Sequence, residues 1–185
     1  RALDALVNYA AGSLTPSVPD TVRILQDVQH ALKRWRSPER GRRKGLPNGP
    51  WLIDDEYDVQ TLLWAVLYPI FRSDLVDETH LPSWGFTEPR LDLGIESLGV
   101  IIEAKIARTP GDWAKIAGEI GNDLGLYFKD PSKFNRMIVF IYDDCDRHEP
   151  EKIDGLRNAL LKRERIEGVV VIRRPSVMPD RNKRG

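Results

Sequence analysis

The run Val100-Ile101-Ile102-Glu103-Ala104-Lys105-Ile106 constrains this chain more than any other. It is apolar enough to belong inside a sheet, yet it carries an acid and a base two positions apart. Side chains alternate across a strand, so Glu103 and Lys105 share one face while Ile102, Ala104 and Ile106 share the other. Charges beside a core are costly unless they are paired, hydrogen-bonded or put to use. The preceding segment, Arg90 to Glu96, reads as a second strand joined through the short Ser97-Leu98-Gly99 turn. That hairpin brings Asp92 beside Glu103.

Two carboxylates on neighbouring strands, with an ammonium two residues beyond, match the needs of phosphodiester hydrolysis. Mg²⁺ takes one or two carboxylates and keeps several waters, so Asp92 and Glu103 are candidate metal ligands. Lys105 is placed to orient a water or to stabilise developing negative charge. A fourth group comes from the pattern starting at Asp54. Glu56, Gln60, Leu63 and Leu67 fall at i, i+4, i+7 and i+11, one stripe of a helix, so Glu56 points the same way as the buried leucines. Glu56 is therefore a third candidate ligand, while Asp54, Asp55 and Asp58 complement the helix dipole.

The rest of the chain supplies the frame. The 185 residues amount to about one domain. Helical spacing over Leu3 to Leu14 and Val22 to Trp35, broken at Thr15 to Pro19, predicts an N-terminal helical hairpin with Asp20 as an N-cap. After it, the order helix (Asp54 to Phe71), two strands, helix (Asp112 to Phe128), strand (Arg136 to Tyr142), helix (Pro150 to Arg165), strand (Val169 to Ile172) predicts an α/β (α+β) fold. Its centre is a mixed sheet flanked by helices. We divide the chain into a helical appendage with a basic linker (1–48), a core (51–175) and a basic tail (176–185).

Asp92, ten residues, then Glu103-Ala104-Lys105, preceded by Glu56 on a helix and followed by an αβαβ half, resembles the PD-(D/E)XK nuclease superfamily. Within it, Asp55 to Gln60, Arg90-Leu91-Asp92, Ile101 to Lys105, Gly118-Glu119-Ile120 through Asp123 and Tyr127, and Val139 to Asp143 resemble the DpnII/MboI-like restriction endonuclease domain over about residues 51–175. The resemblance implies a restriction-endonuclease-like core of αβββαβ type and Mg²⁺-dependent cleavage of DNA, with Mn²⁺ able to substitute. It implies Asp92 and Glu103 as metal ligands, Lys105 as the catalytic lysine, and Glu56 as the helix acid with Gln60 beside it. Leu91 stands where the superfamily name has proline. A role in restriction or anti-phage defence follows from the same likeness. The alternatives are a silent binding module of a larger defence protein, or a nuclease for RNA or branched DNA.

Composition narrows the partners. With 28 basic and 28 acidic residues there is no global positive field, so DNA contact rests on local patches. Arg40, Arg42, Arg43 and Lys44, within a run of seven positive and one negative residues from Lys33 to Gly45, are candidates, together with Arg90. Arg173, Arg174, Arg181, Lys183 and Arg184 form a second cluster. Glu119, Asp123 and Lys115 are candidates to border the site. The longest apolar run, Leu62 to Phe71, is about half the roughly 20 residues a membrane span needs. The single Cys145 allows no internal disulfide and fits a cytoplasmic protein. Asp143 to Glu149 reads as a polar loop rather than a metal or Cys-His site. Cutting both strands of a duplex predicts a homodimer or higher assembly. The first residue, Arg1, suggests part of a larger polypeptide.

Overall fold

A computed structural model describes residues 16–33, 53–81, 89–129, 133–176 and 178. The predicted helix over Leu3 to Leu14, the run from Arg36 to Lys44 that holds Arg40, Arg42 and Arg43, and the tail beyond Met178 lie outside these residues.

Helix α1 (Val18–Leu32) begins earlier than its apolar spacing predicts. Its N-cap is Ser17, not Asp20, and the two form a capping box in which the Ser17 side chain accepts from the Asp20 N–H. Pro19 falls in the first turn, where a missing N–H costs nothing, so the apparent breaker is the start of the helix. Helix α2 (Glu56–Phe71) is capped in the same way by Asp55 and Asp58, which gives those acids the terminal role expected of them.

Five strands follow: β1 (Leu75–Asp77), β2 (Leu93–Ile95), β3 (Val100–Ala107), β4 (Arg136–Asp143) and β5 (Ile166–Arg173). They lie in that order across one sheet, with β1, β2 and β3 antiparallel and β3, β4 and β5 parallel. Helix α3 (Asp112–Tyr127) crosses from β3 to β4 and helix α4 (Pro150–Leu161) from β4 to β5. The order is αβββαβ with a further αβ. Residue patterns alone miss β1, whose three residues owe their conformation to pairing with Ile95, Gly94 and Leu93. At the β2–β3 turn Gly99 has φ +59, a left-handed backbone that glycine adopts without steric cost.

The sheet is buried on both faces. Ile102, Ala104 and Ile106 join Ile138, Phe140, Tyr142, Val170 and Ile172 under α1 and α2. Ile101, Ala107, Met137, Val139 and Ile141 pack beneath α3 and α4. Helix α1 contributes Val18, Leu25, Val28 and Leu32 to the first of these cores.

Close approach of α1 to β5 depends on Gly168. A Cβ there would stand 2.6 Å from Val22 Cγ2 and 3.3 Å from Cγ1, and the β-branched valine has little rotamer freedom in a helix. Gly168→Ala is expected to cost about 1–3 kcal/mol, read as a lower midpoint in urea unfolding. Val22→Ala in the same chain should recover most of that loss. An unchanged midpoint in the single variant would show that α1 does not press on β5.

Candidate active site

Alternation along β3 places Glu103 and Lys105 with Ile101 and Ala107, on the face covered by α3. Both are buried, with 1% and 9% of their surfaces exposed, in a strand where every residue is buried. Lys105 Nζ donates to Glu103 Oε1 at 2.7 Å. Glu103 Oε2 is buried and takes no hydrogen bond among the described residues.

Asp92 reaches this pair by a route different from the strand expected over Arg90 to Glu96. The strand is confined to Leu93–Ile95, and Asp92 sits in a bend before it. The bend sends Leu91 into the core under α3 and Leu93 into the core under α2, where regular alternation would put both on one face. Asp92 Oδ2 then accepts the Ala104 N–H at 2.8 Å, so the carboxylate replaces a strand carbonyl at the point where the β2–β3 ladder stops. One step beyond the Leu93–Ile102 pair, Asp92 is level with Glu103.

From α3, Asp123 Oδ2 lies 3.9 Å from Lys105 Nζ. One turn later the buried Tyr127 hydroxyl donates to the Arg90 carbonyl at 3.1 Å, which ties α3 to the chain just ahead of Asp92. The i, i+4 spacing of Asp123 and Tyr127 is visible in sequence, but that spacing gives the tyrosine no reason to stand out. Glu119 pairs with Lys115 at 3.3 Å.

Burial dominates the electrostatics. It pushes the Glu103 carboxyl up to about 8, with the Asp92 charge adding and Lys105 opposing, and Asp92 up to about 6. Burial also raises Asp123. For Lys105 burial acts downward, but the adjoining Glu103 charge outweighs it and holds the ammonium protonated. The acids are thus crowded into low dielectric with a single lysine among them. Such an arrangement is costly for the fold and favourable for a divalent cation.

Glu56 is half-buried at the start of α2, close enough for its charge to raise both Asp92 and Lys105. It lines a small recess with Arg108, Asp112, Lys115 and Glu119. Gln60, one turn on, lines a groove whose wall includes Asp92. Among the described residues no three Asp, Glu, His or Cys side chains stand close enough to enclose a metal ion by themselves. A two-carboxylate site completed by water and substrate phosphate fits Mg²⁺ without such a cluster. The orphaned, buried Glu103 Oε2 and the hard oxygen donors fit that ion.

The sequence profile of the DpnII-MboI restriction endonucleases (REase_DpnII-MboI) matches residues 26–176. The chain belongs to this family. The match extends beyond the 51–175 resemblance and begins inside α1, the helix that shares the core of the sheet. No curated protein and no solved structure matches the chain. The mixed five-stranded sheet with helices on its faces is the restriction-endonuclease-like core, and membership of the family makes this a DNA endonuclease domain.

Other sequence candidates have different places. Arg90 is exposed and engages Glu78 Oε1 and the Tyr57 hydroxyl, each at 3.4 Å. Arg174 is taken up by a buried pair with Asp144 at 2.6 Å. The expected polar loop after β4 is present, with Asp146, Arg147 and His148 exposed, but its start is buried at Asp143 and Asp144. Cys145 is 1% exposed and burial pushes its thiol up to about 12, which makes it inert as a nucleophile. No helix among the described residues is long and apolar enough to cross a membrane.

Proposed function

We propose that this domain hydrolyses phosphodiester bonds of double-stranded DNA with Mg²⁺, as an effector of restriction or anti-phage defence in the cytoplasm. The observation that carries the reading is the convergence of Asp92, Glu103 and Lys105, with Glu103 Oε2 buried and unsatisfied. Asp92 and Glu103 would hold the ion, with Glu56 as a further acid at the entrance. When bound, Mg²⁺ supplies positive charge against the scissile phosphate and acidifies water. The Ala104 N–H fixes the Asp92 carboxylate against β3. With a cation held at Glu103, Lys105 would be available to hold the attacking water or the developing phosphate charge. Asp123, 3.9 Å from Lys105 Nζ, would keep that ammonium within the site.

Arg40, Arg42, Arg43, Lys44 and Arg90 are assigned to backbone phosphates, which makes binding fall steeply with salt. Two copies are needed to cut both strands, so active protein should sediment as a dimer or larger.

The test is cleavage of supercoiled plasmid, linear duplex and a structured RNA with Mg²⁺, Mn²⁺ or EDTA. Double-strand breaks that need a divalent ion, leave RNA intact and disappear in Asp92→Asn are expected. A folded protein that cuts none of these with either ion overturns the proposal.

A further inference from the structure

Beside Asp92 runs a groove of about 240 Å³ between α2 and the β1–β2 edge, lined by Tyr57, Gln60, Thr61, Trp64, Asp77, Glu78, Asp92 and Leu93. Catalysis as described above uses only its Asp92 end. Tyr57, Thr61 and Trp64 fall at i, i+4 and i+7, and the stripe continues to Tyr68, whose ring stacks on Trp64 with centroids 5.3 Å apart. Tyr57 is 59% exposed and Tyr68 48%, so this face of α2 shows aromatic surface to solvent instead of the polar residues that usually cover such a face.

The opposite wall carries the exposed acids Asp77 and Glu78. Acidic walls repel a phosphate, yet they accept hydrogen bonds from the exocyclic amines of bases, and the Gln60 amide both donates and accepts. Rings give a base its stacking surface. The volume is below the roughly 300–1,000 Å³ of drug-sized ligand sites, which limits the occupant to something near one heterocycle. Arg90, held between Glu78 and the Tyr57 hydroxyl at the rim, is the cation available to the phosphate of the same nucleotide.

We propose that this groove receives a single base, unstacked from the nucleotide next to the scissile phosphate, with preference for bases that carry an amino group. The inference rests on the nuclease reading, since Asp92 joins the groove to the reacting phosphate. Drawing one nucleotide out of the stack fixes the adjacent phosphate against Asp92 and Glu103, and it lets the domain inspect a base from within a pocket.

The experiment begins by mapping the cut ends of plasmid cleaved by wild type. A duplex bearing 2-aminopurine at each flanking nucleotide in turn is then bound in Ca²⁺, and fluorescence is read beside anisotropy. The proposal expects a fluorescence rise at one flanking position. Tyr57→Ala and Trp64→Phe should lower the rise, and Tyr57→Ala should slow cleavage roughly tenfold. Tyr57→Phe, which keeps the ring, should restore the rate, and Asp77→Ala should weaken discrimination among bases at that position. Duplex binding and cleavage with no fluorescence change at either position, and full activity in Tyr57→Ala, overturns the base pocket while leaving the nuclease standing. A wild type that neither binds nor cuts DNA overturns both.

Discussion

Lys105→Ala is expected to lower DNA cleavage by at least about a hundredfold while the chain stays folded. The loss follows because Lys105 is the only cation in contact with Glu103 among the described ion pairs, 2.7 Å from Oε1 and 11% exposed at its side chain. No other cation pairs with Glu103 among the described residues. Removing one partner of a buried pair costs about 3–5 kcal/mol when the remaining charge stays ionised. Glu103 does not have to stay ionised. Burial and the Asp92 charge already raise its carboxyl while the lysine opposes that rise, so loss of the ammonium favours the uncharged acid. The melting temperature should therefore fall by only a few degrees, at ~2–4 °C per kcal/mol for a chain of this size. Loss of cooperative unfolding in Lys105→Ala would show that the pair is there for the fold, and retained cleavage would remove Lys105 from the mechanism.

Glu103→Gln should have opposite effects on stability and activity. The amide should abolish cleavage, yet it removes a buried acid whose Oε2 has no hydrogen bond among the described residues and whose ionisation is opposed by burial and by Asp92. The amide oxygen can still accept from Lys105, and Asp123 remains 3.9 Å from the Lys105 ammonium. We therefore expect the metal-free variant to be more stable than wild type by about 1–2 kcal/mol at pH 8, the exchange of stability for activity common at catalytic centres. The pH dependence gives the sign. A carboxyl raised from 4.5 to about 8 by folding lends its stability below 4.5 and loses it as pH climbs through 8. The advantage of glutamine should therefore be small near pH 5 and grow toward pH 8, read from urea midpoints in EDTA. Midpoints that run parallel across this range would mean that Glu103 is ionised in the folded protein throughout.

The part of the site legible in sequence is the part encoded by short periodicities. Glu103 and Lys105 stand out because an apolar strand has no other reason to carry them, and Glu56 and Gln60 follow from the stripe of α2. Contacts set by the path of the chain are not legible in this way. The bend at Asp92 breaks the alternation that would predict its direction, and it forms because β3 offers an unclaimed N–H at Ala104. Asp123 comes to Lys105 only through the crossover of α3, and its spacing from Glu119, which pairs with Lys115, is that of any surface helix. Strand β1 is too short for a pattern, so neither it nor the Asp77 and Glu78 wall it contributes can be read in advance. At the N-terminus, Pro19 mimics a break but occupies the first turn of α1.

Every role assigned to this site depends on Asp92 and Glu103 holding a divalent ion between them. Electron paramagnetic resonance of Mn²⁺ added to the protein with a duplex oligonucleotide measures this directly, independent of turnover. Wild type should take Mn²⁺ out of the free-ion signal, and Asp92→Asn and Glu103→Gln should each weaken that binding by about 10-fold or more, while Lys105→Ala retains it. Equal Mn²⁺ binding by wild type and Asp92→Asn would contradict the assignment of the metal to this carboxylate pair.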